Sequence, residues 1–115
     1  MQTIQEVFEH HLDAFLNLDS GEIIKDYTEQ SILYTPNGEI KGLEGIKGFF
    51  DYVFTLLPKE SFQFNTAQKI QFDNYVYLAF NCSSALVDVP LGTDTFKIVD
   101  GKITWQALGA HIIQK

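Results

Sequence analysis

Apart from one short hairpin, apolar positions follow a helical period up to Pro58 and a strand period after it. Ile4, Val7, Phe8, Leu12 and Phe15 recur at three- and four-residue steps, the spacing of one buried helix stripe, and His11 falls within it. Thr3 and Glu6 form the T-x-x-E capping box that starts such a helix. The pattern breaks over Asn17–Gly21, and a short second helix follows with Ile23, Ile24 and Tyr27 on its inner face. SILYTPNGEIKG, residues 31–42, reads as two short strands around Asn37–Gly38, a pair that signals a type I′ turn. From Leu43 the helical spacing returns through Ile46, Phe49, Phe50, Val53, Phe54 and Leu57, until Pro58 stops it.

Beyond Pro58 the period is two. SFQFNTAQKIQF places Phe62, Phe64, Ile70 and Phe72 on one face and Gln63, Asn65, Lys69 and Gln71 on the other. Asp73–Asn74 turns the chain into YVYLAFNCSSALVDV, a long strand apolar on both faces. Pro90–Gly92 marks the next turn, TDTFKIV the next strand and Asp100–Gly101 a second I′ turn, and ITWQALGAHIIQ is the last strand. Three helices and a hairpin followed by four long antiparallel strands predict a single α+β domain over residues 1–115, its sheet curled around the helices. Strands apolar on both faces need both faces covered. The helices would cover one and a second copy of the chain the other, so a homodimer is expected.

Composition narrows the function classes. With 45% hydrophobic and 14% aromatic residues in 115, the chain can bury one core, and ten Phe exceed what a surface needs. A net charge of −7 argues against nucleic acid or an anionic membrane as partner. The single Cys82 excludes an internal disulfide, and one Cys with three His offers no zinc-ligand spacing, so neither metal nor cofactor is expected. MQTIQEVFEHH carries acids and no signal-type apolar core, and no apolar run approaches the ~18 residues of a membrane span, so a cytoplasmic location is expected.

Two stretches carry a family resemblance. TDTFKIVDGKI, residues 93–103, looks like a recurrent D-x-F-R-F-x-D-G-K-I hairpin, and FLNLDSGEIIKDYTEQSILYTP, residues 15–36, is similar to a helix-helix-strand opening that ends before proline. In this order they resemble the nuclear transport factor 2-like superfamily, which includes ketosteroid isomerases and SnoaL-type polyketide cyclases, over nearly the whole chain. The resemblance implies a cone-shaped half-barrel (cystatin-like) with an apolar pocket at its wide end, closed by the helices. Ketosteroid isomerases use an Asp base, a Tyr and a protonated Asp there. In this chain the base position is Thr35, which cannot take a proton unaided, and the Tyr position on the first helix is Leu12 with His11 beside it. The second pocket Tyr falls on Phe50, and only the hydrogen-bonding acid survives, as Asp94. A true ketosteroid isomerase is therefore not expected.

The candidate catalytic residues are Asp94, as a neutral acid among Phe side chains, and His11, as a neutral-pH base if it faces the pocket. The bland alternatives are a solvated strand-end Asp and a satisfied core His. Candidate ligand-binding residues, which the resemblance places at the pocket, are Thr35, Gln106, Leu12, Phe50, Phe96, Leu108 and Ala110. Tyr34 alternates with Thr35 and would pack on the other face. Trp105 and His111 would lie on the outer sheet face, Trp105 as a dimer anchor. Tyr27 and Tyr52 either place hydroxyls at the pocket mouth or only pack, and the facing of Asn81 is open. Three readings follow: a cofactor-independent proton-transfer enzyme (isomerase, cyclase or dehydratase type) acting on a small hydrophobic, carbonyl-bearing molecule; a binder of such a molecule; or a dimeric interaction domain.

Overall fold

The computed structural model describes residues 2–115. Helices α1 (Ile4–Leu16), α2 (Ser20–Ile23, running into a 3-10 turn at Ile24–Asp26) and α3 (Leu43–Thr55) pack on one face of a six-stranded sheet. Its strands are β1 (Ile32–Thr35), β2 (Gly38–Lys41), β3 (Gln63–Phe72), β4 (Tyr75–Ser83), β5 (Val87–Val99) and β6 (Lys102–Gln114), in the order β2-β1-β6-β5-β4-β3. β1 and β6 run parallel and every other pair antiparallel, so the mainly antiparallel α+β class read from the period change holds. No described helix is long and apolar enough to cross a membrane.

Local chemistry sets the helices. The Thr3 hydroxyl accepts from the Glu6 amide at 3.1 Å while the Glu6 carboxylate accepts from the Thr3 amide at 2.8 Å, closing the capping box. α1 buries Val7, Phe8, His11 and Ala14, and Phe8 meets Phe96 of β5 edge-on at 5.6 Å. Phe15 sits among Phe50, Phe54, Phe62 and Phe64, so much of the Phe excess joins helices to sheet. Register shifts in the β3–β4, β4–β5 and β5–β6 pairings insert extra residues into the ladder, which bends the sheet around the helices.

Three local features depart from the sequence pattern. The first hairpin turns at Pro36–Asn37, one residue earlier than the Asn37–Gly38 reading: Pro fixes its φ on the negative side, where no I′ turn can form, and Gly38 instead begins β2 at φ 128°. The long strand expected through Val89 ends at Ser83, because the Ser84 hydroxyl accepts from the Leu86 and Val87 amides and donates to Leu56 O, making the turn there. Pro90–Gly92 is consequently a bulge within β5 and not a turn. The third departure is in β3, where Ala67 is an extra residue between the Thr66–Phe80 and Gln68–Ala79 pairs. It inverts the alternation, so that Phe62 and Phe64 pack inward while Ile70 and Phe72 face out, and the single face expected for all four is split.

That inversion gives the outer sheet face two adjacent transverse rows. One runs Trp105–Lys97–Tyr75–Phe72 and the next Tyr34–Ala107–Thr95–Tyr77–Ile70. Trp105 meets Tyr75 at 6.0 Å and Tyr34 at 6.4 Å, and Phe72 is 71% exposed.

Candidate functional site

Between the helices and the concave face lies a cavity of about 580 Å³. α1 supplies His11, Leu12 and Phe15, α3 supplies Phe49 and Phe50, and the central strands supply Leu78, Phe80, Phe96 and Leu108. The hairpin residues Thr35–Asn37, with Tyr52 and Gln114, form the more exposed rim.

Strand alternation puts Asp94, Phe96 and Ile98 of β5 and Gln106, Leu108 and Ala110 of β6 on the concave face. Asp94 is 8% exposed and Gln106 1%. The Gln106 Nε2 donates to Asp94 Oδ1 at 2.7 Å, and the Tyr27 hydroxyl donates to Gln106 Oε1 from behind. Burial among apolar side chains pushes the Asp94 carboxyl up to about 7, against the opposing pull of the Gln106 hydrogen bond. Burial likewise raises the Tyr27 phenol well above its ordinary value, helped by the charges of Asp94 and Asp26.

All nine side chains named from the sequence, Asp94, His11, Thr35, Gln106, Leu12, Phe50, Phe96, Leu108 and Ala110, line this one cavity. Their chemistry differs from expectation at two of them. His11 is ringed by Phe96 at 5.0 Å and by Phe50 and Tyr27 at 5.9 Å, and its buried Nδ1 has no hydrogen-bond partner among the described residues. Burial, with the neighbouring His10, pulls its pKa down to about 3, so it stays neutral and is a feeble base, contrary to the role expected of it. Thr35 faces the rim, but its hydroxyl donates to Gly38 O at 2.9 Å and accepts from the Asn37 amide at 3.1 Å. That hydroxyl holds the hairpin, and its donor proton is not free for a ligand.

The residues left open in the sequence are now located. Tyr34 packs by Trp105 on the outer face. Asn81 alternates with the inward Phe80 and Cys82 and faces out, and His111 is exposed. Tyr52 reaches the rim, whereas Tyr27 is buried, 3% exposed, and joins the polar chain. Cys82 lines the cavity as a thiol that burial pushes up to about 11. Among the described residues no group of three His, Cys, Asp or Glu is placed to hold a metal.

Outside the cavity, His10 Nδ1 lies 2.6 Å from the buried Asp26 carboxylate and its Nε2 3.2 Å from Glu22, clasping α1 to the α2 segment. The Asp26 hydrogen bond raises the His10 pKa. Asp26 is itself raised, because its burial outweighs the same contact. The two directions agree once each group's own burial is considered: the contact favours the ion pair, and only Asp26 pays heavily for desolvation.

Neither a protein-family model nor a curated protein sequence matches the chain. Solved structures do. A cystatin-fold protein from Novosphingobium aromaticivorans superposes with a TM-score of 0.79 at 14% identity, covering 94% of this chain and 98% of that one. An NTF2-like protein of unknown function from Cytophaga hutchinsonii gives 0.72 at 14% identity, covering 98% and 92%. The chain has the NTF2-like fold. A protein from Kribbella flavida provisionally assigned as a ketosteroid isomerase gives 0.75 at 13% identity, covering 94% and 77%. At these identities the likeness to the solved structures is one of architecture, and activity must be argued from the cavity itself.

Proposed function

We propose that the protein binds a small, hydrophobic, carbonyl-bearing molecule in the concave cavity and that Asp94 acts on the carbonyl oxygen as a neutral hydrogen-bond donor. The observation that carries this reading is one carboxyl, buried in a largely apolar chamber and raised to about 7. Its Oδ1 is occupied by Gln106, and its Oδ2 makes no hydrogen bond within the described residues. A carboxyl that titrates near neutral pH also suits proton transfer, since it can give and take a proton at little cost. Isomerisation, cyclisation or dehydration by proton transfer fits that capacity, with no cofactor. A different observation supports pure ligand binding: Thr35 stands where the resemblance puts the isomerase base and cannot serve as one, and His11 is too weak to replace it.

Burial pulls the His11 pKa down to about 3 and pushes Cys82 up to about 11, whereas Asp94 is pushed up to about 7, where its charge changes near neutrality. Affinity for an acceptor ligand should therefore fall as pH rises through about 7. The test is a carboxyl-carbon NMR titration, assigned with Asp94→Asn. A midpoint near 7 supports the reading. A midpoint at the ordinary carboxyl value places Asp94 in water and removes the donor. Turnover lost in Asp94→Asn with binding retained separates an enzyme from a binder.

The same reading includes a partner, a second copy of the chain on the outer sheet face. It is supported by the two aromatic rows, which are nearly free of charge on a chain of net charge −7.

A further inference from the structure

We infer that Tyr27 is a positioning residue which, through the Gln106 amide, sets the hydrogen-bonding polarity of the cavity so that it admits ligands by an acceptor oxygen. This rests on the reading of Asp94 as a donor and adds what determines it. The phenol of Tyr27 carries one proton, and among the described residues its sole hydrogen-bond partner is Gln106 Oε1. An amide held by its oxygen must present its nitrogen to whatever lies on its other side. Here that is Asp94 Oδ1, at 2.7 Å. Oδ1 is thereby committed as an acceptor, so the carboxyl proton resides on Oδ2 and points to the cavity. The reversed amide would leave the buried phenol proton without an acceptor, which a buried donor resists. Polarity thus runs one way, from Tyr27 to Gln106 to Asp94 to the ligand.

The other titratable groups around this chain are His11 on α1, Tyr52 at the rim on α3, Cys82 on β4 and Asp26 beside Tyr27. None of them is hydrogen-bonded to Gln106 or Asp94 in the described structure.

Removing the phenol hydroxyl frees the amide to turn its carbonyl onto the protonated acid. Asp94 then donates inward, its neutral form gains, and the cavity loses its donor. Tyr27→Phe should raise the Asp94 midpoint by about 1 pH unit. The probe pair is 2-acetylnaphthalene and 2-ethylnaphthalene, which share a shape and differ by the carbonyl oxygen. At about pH 6 wild type should favour the ketone roughly tenfold, and Tyr27→Phe should abolish that preference while 2-ethylnaphthalene binding holds. Gln106→Leu offers Asp94 no inward acceptor, so it should keep the ketone preference, and adding Tyr27→Phe to Gln106→Leu should change neither that preference nor the midpoint.

A raised wild-type midpoint and ketone preference that both survive Tyr27→Phe would overturn the inference and leave the Asp94 reading standing. An ordinary midpoint with no ketone preference in wild type would remove the Asp94 reading, and the inference with it. If Tyr27→Phe shifts the midpoint equally in the Gln106→Leu background, Tyr27 acts through space and the relay is wrong. Loss of 2-ethylnaphthalene binding in Tyr27→Phe marks a collapsed cavity. In that event Tyr27→Trp, which can donate from its indole nitrogen, must restore ketone preference, and failure to do so overturns the proposal.

Discussion

A carboxylate buried among Phe side chains makes the folded state hold a proton that the unfolded chain releases. Asp94 moves from an ordinary 3.8 to about 7 on folding. Its contribution to stability is therefore fully present below about pH 4, is lost as pH rises towards 7, and changes little above that. The span is on the order of 4 kcal/mol, from about three units at 1.36 kcal/mol each. Asp94→Asn cannot ionise and should be more stable than wild type at about pH 8 and no more stable at about pH 4, which urea titrations at the two pH values would read. A wild-type stability flat across that window would sink the claim that this carboxyl is buried. His10 has the same sign in a later window: its pKa is raised from 6.5, so its contribution is complete below 6.5 and fades as pH climbs through its folded value. His10→Gln should remove only that later slope.

At this scale the sequence revealed residues but not their alliances. Asp94 could be read because the family resemblance matched it to a hydrogen-bonding acid and turned the face it shares with Phe96 and Ile98 towards a cavity. Tyr27 could not, since the partner that occupies its hydroxyl lies 79 positions away. His11 was placed on its stripe, but its surroundings of three aromatic rings, which strip it of basicity, arise from three different elements.

Strands and helices were legible to the extent that their period was unbroken. α1 announced itself by its cap and stripe, and β6 by its closing turn, where Asp100 and Gly101 both take positive φ. β3 was misread beyond Thr66 because one inserted residue shifts every later side chain across the sheet, and Ala67 carries no Gly or Pro to signal it. Gly92 misled in the opposite way. It is a glycine for packing: a Cβ there would come within 2.3 Å of the Phe80 ring. Phe80 lines the cavity and stacks on Phe64 at 5.2 Å, so Gly92→Ala should drive the ring into the chamber. Expected are a loss of about 1–3 kcal/mol in stability and, in calorimetry, roughly tenfold weaker binding of 2-acetylnaphthalene. Adding Phe80→Leu should restore binding. If Gly92→Ala binds as wild type does, the chamber does not depend on that ring.

The sheet turns one face to the helices and carries Trp105, Tyr75, Phe72 and their neighbours on the other. If a second copy covers them, light scattering should give about twice the 13.1 kDa chain mass. Trp105→Lys, placing a second charge in a row that already holds Lys97, should return a monomer that keeps its helical spectrum. A wild type that is monomeric at about 100 μM would overturn the dimer.

The order of the strands has a further consequence for how the chain is made. β6, the last of the six described strands in chain order, lies in the interior of the sheet, between β1, the first of them, and β5 just before it. Until it emerges, β1 and β5 each present an open edge towards the gap, and Gln106 is not yet there to meet Tyr27 or Asp94. Assembly cannot proceed outward from the first residues. It waits for one late insertion that closes the sheet and wires the cavity together, so a nascent chain stalled before Lys102 should remain open to protease and prone to pair with its neighbours on crowded polysomes.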